Sequence, residues 1–156
     1  MSSKLQKELK KRGPFTTLEQ EAMLNIARTA DQLLVRAERL LRKYGLTGSQ
    51  YNILRILCGE GKPLPILEIA NRTVQVVPGI TGLIDRLESA EFVHRERSME
   101  DRRVIFVSIT DKALKALEKL DEPLVACEKK LLGCLKPAEQ RELIRLLEKI
   151  REHLDQ

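Results

Sequence analysis

The sequence predicts a mainly helical chain that carries one small β-hairpin. Three observations support that expectation. Apolar residues recur at helical spacing over most of the 156 residues, capping-box spacings open two of those periodic segments, and two short β-prone runs, 92–97 and 104–109, flank a turn-like Ser98-Met-Glu-Asp101. Charged residues make up 33% and apolar ones 42%, with few Gly and Pro, a balance that describes an ordered chain and not a disordered one. The length suits a single domain with some long helices, not two independent cores.

Taken in order, Thr17-Leu-Glu-Gln20 opens a long amphipathic helix with Ile26, Ala30, Leu33, Leu34, Ala37, Leu40 and Leu41 in phase, ending at Gly45. Thr47-Gly-Ser-Gln50 opens a second helix with Ile53, Leu54 and Leu57 on one face, closed by Gly59 and Gly61. Pro63 and Pro65 punctuate the chain before a short helix over 66–73. A fourth helix is predicted over 78–90 with Pro78 at its first position and Ile80, Leu83, Ile84 and Leu87 inward. At 100° per residue its other face carries Pro78, Gly82, Asp85 and Ser89, flanked by Thr81 and Arg86, so that face is small and polar. After the hairpin, Thr110 caps a fifth helix through Leu114, Leu117, Leu120 and Leu124, and Pro137 opens a last one with Leu143, Leu147, Ile150 and Leu154 in phase.

Several function classes are excluded or disfavoured. Cys58, Cys127 and Cys134 form no CxxC pair, and His94 and His153 lie far from them in sequence, so neither a disulfide framework nor a metal site is expected. No catalytic constellation is visible, and no cofactor is expected. The start MSSKLQKELKKR lacks a signal-peptide core and nowhere do eighteen apolar residues follow one another, so a cytoplasmic location without a membrane partner is expected. The net charge of +5 hints at a polyanion, but residues 1–12 alone supply +4, and 85–113 carry six basic against seven acidic groups. Aromatics at 3% argue against a stacking platform for single strands. The basic N-terminal segment reads as a frayed tail in preference to a DNA-embracing arm.

Two short helices joined by a turn and followed at once by a hairpin is the order of a winged helix-turn-helix. That geometry sets the second helix of the pair into the major groove and lets the hairpin reach the backbone or minor groove beside it. The terminal segments, 1–45 and 114–156, carry apolar stripes longer than the central lobe, 46–113, can cover, and a second copy of the chain is the economical partner.

Asp101-Arg-Arg103-VIFVS-Ile109-Thr110-Asp-Lys-Ala113 resembles the wing signature of the MarR (multiple antibiotic resistance) family of bacterial transcription regulators. That signature is Asp, any residue, Arg, five residues, Leu or Ile, Thr, two residues, Gly; Ala113 replaces the glycine, a change that a helix start tolerates. ITGLIDRLESAEFVHRE is similar to the family's recognition helix and first wing strand, and LTGSQYNILRIL to its second helix. The resemblance implies a homodimer joined through the terminal helices, a palindromic double-stranded DNA target, and repression relieved by a small ligand, aromatic or anionic, held where those helices meet the lobe. It implies that Arg102 contacts the minor groove or phosphate and that Asp85 pairs with Arg103 to fix the wing's angle, with Asp101 bracing the turn. Gln75, Thr81 and Arg86 are candidates for base contacts, Arg97 joins the wing contacts, and Pro78 and Gly79 stand at the helix start. Glycine at 79 and 82 implies close backbone approach with few base contacts, so shape and phosphate positioning matter more. Two other readings stand beside this one. The cysteines could act as a redox switch, against their reading as small buried packing residues, and the winged helix could be a protein-interaction module without DNA binding.

Overall fold

Local capping chemistry places most of the helix ends. A computed structural model describes residues 3–155; Met1, Ser2 and Gln156, all within the predicted terminal segments, lie outside the described residues. The elements are α1 (Lys4–Glu8), α2 (Leu18–Arg42), α3 (Gly48–Glu60), β1 (Leu64–Pro65), α4 (Ile66–Asn71), α5 (Ile80–Ser89), β2 (Val93–Arg97), β3 (Ile105–Ile109), α6 (Asp111–Leu132) and α7 (Pro137–Leu154). At α3 the capping box is complete: Thr47 accepts from the Gln50 N–H, Gln50 accepts from the Thr47 N–H, and Gly61 closes the helix in the left-handed region at φ 68°. At α2 Thr17 accepts from the Gln20 N–H, but the Gln20 side chain accepts from Thr16, one residue earlier than the reciprocal box requires. Thr110 caps α6 by accepting from the Ala113 N–H.

Four expectations are corrected. The helix predicted over 78–90 begins at Ile80, because Gly79 adopts φ 70° and serves as N-cap, leaving Pro78 in the preceding turn and not at the first helical position. The preceding helix ends at Asn71, two residues before Thr73. Pro63 and Pro65 do more than punctuate: Leu64 and Pro65 pair with Val107 and Phe106, so the hairpin becomes a three-stranded antiparallel sheet of order β1-β3-β2. Proline is tolerated there because β1 is an edge strand. The N-terminal segment is no frayed tail, since α1 buries Leu5 and its Glu8 accepts from Arg28 of α2 at 3.0 Å.

The core joins Leu41 and Leu46 to Ile53, Leu54 and Leu57 of α3, Leu64, Ile69, Ile84 and Leu87, Val93 and Val107 of the sheet, and Leu117 and Leu120 of α6. Ala113 is fully buried among them, so the methyl that replaces the signature glycine fills core space. Burial stops abruptly toward the terminal helices. Leu41 is the single buried residue of α2, α6 buries nothing beyond Leu120 although it continues through Pro123 to Leu132, and α7 buries nothing. Leu24, Ile26, Leu34, Val125, Leu143, Leu146 and Ile150 are exposed, so a long apolar surface along α2, α6 and α7 has no cover within one chain.

Candidate nucleic-acid interface

α5 is held by its apolar stripe. Ile84 and Leu87 are fully buried, which turns Thr81, Gly82, Asp85, Arg86 and Ser89 outward, all exposed. The turn before the helix continues this outward side. Val76, Val77, Pro78, Gly79, Gly82, Leu83 and Arg86 line a groove together with Ser49 from the start of α3. A Cβ at Gly79 or Gly82 would meet nothing within 4 Å, so a large partner can approach the backbone at both positions.

The wing is fastened to the same helix. Strand alternation places Val93, Arg95 and Arg97 on one face of β2; Val93 is buried, Arg95 half-buried and Arg97 exposed. Arg95 links the wing to α5. Its Nη1 donates to Asp85 Oδ1 at 2.5 Å, its Nε to Glu88 Oε2 at 2.7 Å, and its backbone N–H to Glu88 Oε1 at 3.1 Å. The hydrogen bond from Arg95 holds the Glu88 carboxyl below its ordinary range, and the same bond raises the Arg95 guanidinium. The expected Asp85–Arg103 pair is therefore corrected: Asp85 binds Arg95. The physical reason is register, because Arg95 pairs across from Val107 midway along the β2–β3 ladder, on the strand that packs against α5, whereas Arg103 lies in the turn that joins the two strands.

At that tip the acids set direction. Ser98 Oγ accepts from the Glu100 and Asp101 N–H groups, and Asp101 Oδ1 accepts from the Arg103 N–H at 3.0 Å and its Nε at 3.4 Å. Arg103 keeps its side chain 93% exposed in spite of that bond, and Arg102 is exposed beside it. Asp101 thus braces the turn. Arg95, Glu88 and Ser98 were absent from the sequence-predicted set; the two-residue alternation counted from Val93 was the signal that would have turned Arg95 toward α5.

Gln75 lies elsewhere. It lines a cleft of about 330 Å³ that adjoins the α5 groove at Ser49 and Val77 and is bounded by Leu34, Ala37 and Leu41 of α2, Tyr51 and Asn52 of α3, Val74 of the turn, and Leu124 of α6. Asn52 Oδ1 accepts from the Val74 N–H at 3.0 Å, tying the cleft wall to the segment that enters α5. Arg55 of α3 donates to Asp121 of α6 and, at 2.8 Å, to the Tyr51 hydroxyl, a polar link between lobe and long helix. The cysteines are free; Cys58 and Cys127 are half-buried, while Cys134 is exposed and so is not the buried packing residue expected. Among the described residues no cluster of metal-ligating groups occurs, and no helix is long and apolar enough to cross a membrane.

Comparison with known proteins agrees with this architecture. Residues 37–120, more than half of the chain, match the family model described as transcriptional regulator SarA/Rot. The HTH-type transcriptional regulator YwaE of Bacillus subtilis is 31% identical over 148 residues, covering 92% of this chain and 86% of YwaE. A MarR transcription factor from Planctomyces limnophilus is 41% identical with a TM-score of 0.68, covering 86% of this chain and 98% of that one. Sco3205, a MarR family regulator from Streptomyces coelicolor solved in complex with DNA, shares the fold at a TM-score of 0.76 and 22% identity, over 94% of each chain. These relatives are transcription regulators and not enzymes. With its core, recognition helix and wing inside the matched region, the chain belongs to the MarR-type winged-helix transcription regulators of the SarA/Rot family.

Proposed function

We propose that the chain is a homodimeric repressor that binds a palindromic double-stranded operator and is released by a small molecule. The observation that carries the DNA reading is the union of an open groove along α5 with a wing held to the same helix by Arg95, leaving Arg97, Arg102 and Arg103 exposed at its outer end. α5 enters the major groove, Thr81 and Arg86 face base edges, and Arg102 reaches phosphate or the adjacent minor groove. Dimerisation is supported by the uncovered apolar surface of α2, α6 and α7, and a twofold dimer would present its two α5 helices to half-sites roughly 34 Å apart. The segments 1–45 and 114–156 then serve as dimerisation arms around the lobe at 46–113. The protein would act in the cytoplasm, where the operator is.

Release is supported by the cleft that contains Gln75. Its apolar walls suit an aromatic body, and the neighbouring recess on α2 includes Arg39 and Arg42, which suit an anionic group. A ligand seated there presses on Val74 and on Val77, the latter two residues from Gly79, and so shifts the entry to α5. For Gln75 this favours a role in sensing over base contact.

The test is fluorescence anisotropy on a labelled duplex carrying the palindrome upstream of the gene. Arg86→Ala with Arg102→Ala should abolish specific binding while sedimentation shows the assembly unchanged, with Arg86 alone worth about 1–3 kcal/mol. Binding of the wild type should weaken steeply with salt as phosphate contacts release counterions. Wild-type affinity in the double variant would refute the interface. The balanced charge of 85–113 favours the protein-interaction reading, which predicts no shifted duplex at any salt concentration.

A further inference from the structure

Val76 has no role in the fold. It is 95% exposed, it caps no helix, and it lines the α5 groove alone of the three valines in this turn: Val74 lines the cleft against α2, and Val77 lies between the two and lines both. Apart from Arg86 and Ser49, the residues lining that groove offer no polar side chain: they are Val76, Val77, Pro78, Leu83 and two glycines. An aliphatic side chain left wholly in water gains only when a partner buries it. Among the edges that base pairs show in the major groove, the one apolar group is the C5-methyl of thymine. From the groove's composition, and resting on the DNA reading above, we infer that Val76 is a specificity residue that reads a thymine methyl, with Arg86 in the same groove reading a guanine. The absence of a Cβ at Gly79 and Gly82 allows the approach that such a short side chain needs.

The test uses the purified full chain and duplexes selected by it from a randomised library. Each thymine of the selected duplex is replaced in turn by deoxyuridine, which removes the methyl alone. The wild type should lose about fourfold in affinity at one thymine in each half-site, the change that burying a single methyl group amounts to. Val76→Ala should bind the thymine duplex about fourfold more weakly than the wild type does and should be indifferent to uracil at that same position, so that the two losses do not add. Because Val76 is exposed, the variant should melt with the wild type, which separates recognition from folding. Tight binding with no uracil-sensitive position, or a Val76→Ala chain as uracil-sensitive as the wild type, would overturn the assignment and leave the DNA reading intact. Failure to select any duplex would overturn both.

Discussion

Two glycines three residues apart in one groove should respond to alanine with opposite signs. Gly79 sits at φ 70° with open space around its Cβ position, so Gly79→Ala meets no clash and the whole effect is backbone strain. Placing a non-glycine residue in the left-handed region costs about 1–2 kcal/mol. Gly82 lies inside α5 with a right-handed backbone and equally open surroundings, so Gly82→Ala gains about 0.5–1 kcal/mol by reducing the freedom of the unfolded chain. The two variants should therefore bracket the wild type with a spread of about 1.5–3 kcal/mol, or roughly 3–12 °C in melting temperature for a chain of this size. Urea unfolding followed by circular dichroism, at one chain concentration because the proposed dimer would add to apparent stability, measures both. On the proposed interface Gly82→Ala should nonetheless bind DNA less tightly, because its methyl would stand between the helix and the duplex. A Gly79→Ala chain as stable as the wild type would refute the left-handed entry to α5. A destabilised Gly82→Ala would show that its outward face is packed and not open.

Replacing Glu88 by Gln should loosen the wing without unfolding the lobe, seen as faster amide exchange across the β2–β3 ladder and weaker DNA binding. In the wild type the Glu88 carboxyl is held below its ordinary range, so its contribution is fully present above about pH 4.3 and is lost as pH falls through the lower folded-state value; the Gln variant should show no such acid step. Ile150→Asp, on the uncovered face of α7, should shift sedimentation from the proposed dimer toward monomer and weaken operator binding, and an unchanged assembly would remove α7 from the proposed interface.

The sequence by itself determined what is local. Helix phases, the Thr47–Gln50 box, the Thr110 cap and the hairpin strands all depend on residues within a turn or two of one another, and each is present in the structure. The signature from Asp101 to Ala113 was likewise legible, down to the substitution at Ala113. Tertiary structure decided the contacts between elements. Which arginine meets Asp85 depends on the register of β2 against β3 and on the side of the strand that faces α5, and that choice fell to Arg95 and not Arg103. Whether Leu64 and Pro65 are a strand depends on an edge of β3 more than forty residues away, and no local propensity encodes it. The same holds for Gln75 and Val76. They are adjacent in sequence and equally exposed in pattern, and only the packing of α2 and α3 around their turn sends one toward the cleft and the other toward the α5 groove.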